Sequence, residues 1–232
     1  SGFAAKLFKI KHRDEFMAMM SFTNSGYLVL PMLMELFKGQ RRELAMVLLF
    51  LYTMLLILLI WSVGVFLITG RNVKLTLFSL PTPFVVTVIA IVLALLNVKR
   101  FIPDFIFTGL NILGIIGIYG IMIVLGGILS QIGKFDLKHI GKNIEFVVLK
   151  NLVFPILFIG IIFLLNLSKL KSIVLSLALV TPPANNLAII TQRYPSDPTA
   201  KDFVYSSIFA SYMAALITLP IMIFLVEWIY SF

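Results

Sequence analysis

Long apolar blocks separated by short, basic connectors make up almost the whole chain. The blocks run from Phe16 to Phe37, Leu44 to Thr69, Pro83 to Asn97, Phe105 to Gly133, Phe146 to Asn166, Ser172 to Gln192 and Phe203 to Val226. Several are free of charge for about 20 residues, the length of a helix that crosses a bilayer. They lack the two-residue alternation of a membrane barrel strand, and lipid offers no hydrogen bonds to a bare backbone, so the blocks are predicted to be helices. Pro83 suits a helix start. The stretch Val73 to Leu80 is expected to lie along the membrane interface.

Composition agrees with the pattern. Hydrophobic residues make up 60% and charged residues 12% of the chain. That is about half the charge of an ordinary soluble domain. The net charge of +9 is carried by Lys and Arg gathered between the blocks, as in loops at a membrane surface, with no aromatic-interleaved stripe for nucleic acid. Their excess on the side of the N-terminus predicts a cytoplasmic start and an external end. The absence of Cys excludes disulfides and thiolate metal sites. His12 and His139 stand alone in charged connectors and have no ligand partner at helical spacing, so no cofactor or metal is expected. The chain starts Ser1-Gly2-Phe3, without Met and without a signal peptide, and is expected to be a fragment or a processed chain.

Two blocks carry interruptions. The first contains Thr23-Asn24-Ser25-Gly26 and then Pro31; the sixth contains Thr181-Pro182-Pro183-Ala184-Asn185-Asn186. Adjacent prolines remove two backbone donors, and Asn, Gly and Pro are poor helix formers, so neither helix is expected to cross unbroken. The surroundings correspond when Pro31 is laid on Leu187 and Gly39 on Pro195. Paired Gly/Pro-interrupted helices in two halves of a chain are the sequence pointer to a transporter binding site. Backbone accounting adds that the two unwound segments should meet, since each can satisfy the groups the other frees.

At these residues the chain resembles the auxin efflux carrier family, which includes the plant PIN proteins and bacterial organic-anion carriers. Phe22-Thr23-Asn24-Ser25-Gly26-Tyr27-Leu28-Val29-Leu30-Pro31 resembles the family's fourth helix. Thr181-Pro182-Pro183-Ala184-Asn185-Asn186 through Gln192-Arg193-Tyr194 resembles the ninth, and Gly126-Gly127-Ile128-Leu129-Ser130 the end of the seventh. The resemblance implies an all-α integral membrane fold, an inverted-repeat transporter with two broken, crossing helices. Residues 1–232 would form a single membrane domain. Within it, residues 16–69 would end the first repeat and residues 83–232 would form the second. The chain would supply helices four to ten, with Gly2 to Ile10 as the tail of the third.

Candidate substrate-binding residues are Asn24, Ser25, Gly26, Asn185 and Asn186. Asn186 is favoured over Asn185 by the family pattern, and Asn185 has the alternative role of capping the second half-helix. Pro31, Pro182 and Pro183 are read as helix-breaking residues that expose half-helix N-termini, whose partial positive charge suits an anion. Gly26 is read as the close-approach residue of the crossing. Gly114, Gly117 and Gly120 are read as a helix-packing stripe. Ser207, Ser211 and Thr218 share one face of the last block. Glu35 and Lys150 are placed near block ends, from which they can snorkel.

The expected function is secondary-active transport of small organic anions, in the efflux direction, by alternating access in a plasma or inner membrane. The expected partners are the bilayer, the anion, a proton or sodium ion for coupling, and a second copy of the chain in a homodimer. The alternatives are a seven-helix receptor or a channel. The last block has no Lys for a retinal Schiff base, and no block holds the acid-base groups of an intramembrane enzyme.

Overall fold

The computed structural model describes residues 12–69, 82–131, 140–193 and 198–231. The interfacial stretch Val73 to Leu80, His139 and the segment Gly2 to Ile10 lie outside them. Helices occupy nearly all of the described residues: α1 (Arg13–Ser21), α2 (Ser25–Leu36), α3 (Gly39–Leu59), α4 (Val65–Thr69), α5 (Thr82–Leu95), α6 (Asp104–Gln131), α7 (Ile140–Val148), α8 (Phe154–Leu164), α9 (Lys169–Val180), α10 (Asn186–Arg193) and α11 (Pro198–Ser231). Wide π-type turns at Ile60–Gly64 and Leu149–Val153 join α3 to α4 and α7 to α8 into continuous helical stretches. By length and composition, three continuous stretches can cross a membrane: Gly39–Ile68, Asn143–Leu164 and Pro198–Tyr230.

Local chemistry marks the ends. Asp14 and Glu15 lie in the first turn of α1, where carboxylates complement the helix dipole. Gly39, Asn97 and Asn166 take left-handed φ values of 57°, 54° and 48° at tight turns, a region open to Gly and tolerated by Asn. They allow α3 to start straight after α2 and bring α5 and α8 to a stop.

Two blocks are split. The first divides into α1 and α2 around Phe22–Asn24, the sixth into α9 and α10 around Thr181–Asn185. The breaks meet: Thr23 and Pro183 form an antiparallel bridge. The Asn24 amide donates to the Pro182 carbonyl (2.8 Å) and the Ala184 amide to the Phe22 carbonyl (3.0 Å). Each unwound segment thus satisfies backbone groups of the other, the solution a water-free interior requires.

The bridge lies between two apolar cores. One gathers Phe16, Met19, Phe146, Leu187 and Ile208 from α1, α7, α10 and the near half of α11, with Phe22 from the first break and Ile60 from the first π-type turn. The other gathers Val29, Leu33, Leu49, Ile159, Leu177 and Leu219 from α2, α3, α8, α9 and the far half of α11. By contrast α5 and α6 are peripheral and turn large apolar side chains outward, including Leu95 (77% exposed) and Phe105 (73%). Exposure on that scale fits lipid as the surrounding medium.

Three expectations change here. Pro31 breaks nothing: α2 runs straight through it. Its missing N–H costs only the one bond that the Tyr27 carbonyl would have accepted. Gly114, Gly117 and Gly120 touch nothing within 4 Å of where a Cβ would stand, so among the described residues the stripe packs against no helix. Gly26 is a close-approach residue, but toward Thr53 of α3, 3.2 Å from its would-be Cβ, and not toward the other break.

The glycine that does abut the crossing is Gly64, in the first π-type turn. A Cβ there would stand 3.1 Å from the Phe22 ring and 3.7 Å from Leu187, residues beside the two breaks. Gly64→Val should therefore push Phe22 away and cost about 1–3 kcal/mol by overpacking. Thermal unfolding of the purified full-length protein measures this, and an unchanged midpoint would refute the contact.

Candidate functional site

The crossing brings together side chains far apart in sequence. Asn24 precedes the first residue of α2, with φ −84° and ψ 52°, and its side chain does not cap that helix. Instead its Nδ2 donates to the hydroxyl of Tyr212, in the middle of α11. The same hydroxyl reaches the Pro183 carbonyl at 3.4 Å. Tyr212 therefore ties the first break to the second from a third helix, and all three groups are buried.

Asn185 holds, on the second break, the position that Asn24 holds on the first: each is the last residue before the second half-helix starts. Asn185 is 1% exposed, and neither its Nδ2 nor its Oδ1 makes a hydrogen bond of good geometry, although the Tyr212 hydroxyl lies beside it. Its backbone carbonyl accepts from Ala188 (3.0 Å), so it serves α10 through the main chain and not as a side-chain cap. Asn186, the first residue of α10, is only half-buried. The correspondence of Pro31 with Leu187 hides this pairing, because it sets Asn24 against Val180, inside α9. The half-helices restart five residues later than that register allows.

Ser25 is fully buried, and its hydroxyl has no hydrogen-bond partner; the Thr23 hydroxyl faces Tyr52 but makes no bond of good geometry. The site thus holds an amide bonded through its Nδ2, Asn24, beside an unsatisfied one, Asn185, and the unsatisfied hydroxyl of Ser25. Buried polar groups are nearly always paired, and exceptions call for a ligand, a water or a functional reason. Of the prolines, Pro182 and Pro183 lie in the break and offer carbonyls to Asn24 and Tyr212. Pro31, seven residues on, contributes nothing to it.

The last helix contributes more than a polar face. Asn151 Nδ2 donates to the Ser211 carbonyl (2.8 Å), and the Ser211 hydroxyl returns a bond to Asn151 Oδ1 (2.5 Å). Ser207 donates to Asn143 Oδ1 at 3.2 Å. Ser207 and Ser211 thus fasten α11 to the α7–α8 helix and place Tyr212.

Lys150 is not near a helix end. The helix begins at Ile140, and Lys150 sits on the π-type turn, 2% exposed, with Nζ donating to the Met20 carbonyl (2.9 Å). Snorkelling is ruled out by that position; Glu35, by contrast, is exposed.

Sequence reading missed Tyr212 and misplaced Lys150. A signal for the tyrosine exists: Tyr favours membrane interfaces, and this one stands mid-helix, where its hydroxyl needs a partner. Among the described residues no group of His, Cys, Asp and Glu could hold a metal ion. A separate cavity of about 690 Å³ opens at the end of the bundle where α2 finishes and α3 and α9 begin. It is lined by Lys38, Arg41 and Lys169 and by Glu227, Phe224 and Trp228.

Among known proteins, a model of a family described as membrane transport protein matches residues 79–223. No curated protein and no solved structure matches significantly. The family match begins beyond the first break, takes in the second with its paired prolines, and covers Tyr212 and Lys150 as well. Since it extends over well more than half of the residues, the chain belongs to the membrane transport protein family, that of the auxin efflux, PIN-like carriers.

Proposed function

We propose that the protein is a secondary-active carrier of small organic anions, and that the crossing of the two broken helices is its substrate site. The observation that carries this reading is the meeting of the breaks at Thr23 and Pro183, which sets the N-terminal ends of α2 and α10 beside one another. Helix N-termini hold partial positive charge and attract carboxylates. The buried, unsaturated amide of Asn185 and hydroxyl of Ser25 supply donors at the same place. Asn24, Ser25, Gly26, Asn185 and Asn186 are the proposed contacts, with Gly26 acting through its backbone amide alone.

The cavity lined by Lys38, Arg41 and Lys169 supports the choice of anion. It forms a basic mouth one half-helix away from the crossing, α2 being 12 residues or about 18 Å long. In the proposed orientation this mouth is external, in the plasma or inner membrane, and transport runs outward by alternating access. Two inverted repeats, seven crossing helices and a homodimer complete the proposal; catalysis is no part of it.

The test is uptake and efflux by the full-length protein in proteoliposomes, against monocarboxylates, dicarboxylates and indole acids. Saturable flux of at least one class is expected, inhibited by its close analogues. Currents of channel size, or no flux of any anion by correctly inserted protein, would defeat the reading.

A further inference from the structure

We propose that the Lys150 ammonium is a tethered cation, filling the cation position at the carbonyl end of α1, so that the crossing is held without a bound sodium ion. Where broken helices meet in carriers, the C-terminal ends of half-helices and the unwound carbonyls beside them are the places that coordinate a coupling cation. These ends carry partial negative charge, and α1 has no basic residue of its own in its last turn. Its Met20 carbonyl lies in that last turn, two residues before the break at Phe22. The group bonded to it is the amine of a residue 130 positions away.

The surroundings point the same way. Lys150 is 2% exposed, and among the described residues no carboxylate pairs with it. Among the described residues the hydrogen-bond partner of its Nζ is the Met20 carbonyl at the end of α1. Lys150 sits on the π-type turn beside Asn151, both 2% exposed, and such turns are frequent at functional sites. Asn151 is locked to Ser211, the neighbour of the tyrosine that holds Asn24. Lys150 is therefore anchored to the crossing on both sides: to α1 through Met20, and to Tyr212 through Asn151. At the corresponding end of α9 the cap is a neutral hydroxyl, Thr181 to the Ala178 carbonyl (3.1 Å). A sodium ion at the end of α1 would have to share the place with an ammonium, and like charges in a water-poor interior repel strongly.

The meaning for transport rests on the carrier reading above, but the site can be tested without flux. The measurement is thermal unfolding of the purified full-length protein in sodium, lithium or choline chloride at equal ionic strength. The parent and Lys150→Arg are expected to melt at the same temperature in all three salts. Lys150→Ser is expected to melt several degrees lower in choline, with part of the loss restored by sodium or lithium entering the vacated position. The inference is overturned if sodium stabilises the parent over choline, if Lys150→Ser equals the parent in choline, or if a folded Lys150→Ser responds to no alkali cation. If Lys150→Ser does not fold, Lys150→Arg and the parent decide: indifference to sodium supports the inference and a requirement for it refutes it. Because melting reports the site, absence of anion flux would leave a positive result standing. A sodium-stabilised parent would refute the tethered cation and leave the carrier reading intact.

Discussion

Asn24→Ala and Asn185→Ala, made separately in the full-length protein, are each expected to lower anion flux about tenfold or more, with opposite signatures in stability. A tenfold loss corresponds to roughly 1.4 kcal/mol of transition-state or binding energy. Asn24 has two duties. Its amide group bonds the Tyr212 hydroxyl, so the alanine variant strips that buried hydroxyl of its partner on the first break. Leaving such a group unpaired costs about 1–3 kcal/mol, and Asn24→Ala should melt lower as well as transport less. Asn185 has no side-chain hydrogen bond of good geometry to lose. Removing a buried amide that nothing satisfies relieves a desolvation penalty, so Asn185→Ala should melt at the parent's temperature or above it while flux falls. Flux at the parent's level in Asn185→Ala would remove that residue from the site. A stability loss as large as that of Asn24→Ala would mean that its amide is structural.

Phe16→Ala is expected to be the most destabilising single truncation considered, at about 3 kcal/mol. Phe16 is fully buried in α1 and meets the Phe146 ring of α7 edge to face, with centroids 5.7 Å apart. Truncating a buried Phe in a soluble core costs about 3–5 kcal/mol. The lower figure applies here because lipid tails are as apolar as the core, which leaves packing as the chief loss. The change empties the core that supports α1, and α1 carries the Met20 carbonyl that Lys150 bonds. Unfolding in detergent should register it directly. A loss below about 1 kcal/mol would imply that the site collapses around the cavity.

Helical blocks were legible because a bilayer imposes length and apolarity on any segment within it, and both properties are visible without tertiary contacts. The break at Pro182-Pro183 was legible for a related reason, that missing donors cannot be compensated by lipid, and the one at Thr23 because Asn24 and Gly26 are poor helix formers. Their meeting followed from the same accounting, and the bridge between Thr23 and Pro183 has that form. Pro31 shows where local reasoning stops. A single proline frees one carbonyl, and a helix packed by its neighbours passes through it.

Only the tertiary structure decided which residues touch. Asn24 and Asn185 hold equivalent positions because each is followed at once by the start of a half-helix, and that register depends on the length of each unwound segment. Tyr212 enters the site because α11 is held by Ser211 against Asn151, a contact spanning 60 residues. Gly64 abuts the crossing through a π-type turn that composition does not announce. The apolar block starts at Phe146 and by itself puts Lys150 near an end, within reach of the membrane surface. Three turns of helix precede it from Ile140, and they place its ammonium against Met20. Hydropathy determined that this chain is made of membrane helices, and the paired prolines and poor helix formers determined where two of them fail. Packing decided what the failures face, because hydrogen bonds between distant segments leave no periodic trace in the sequence.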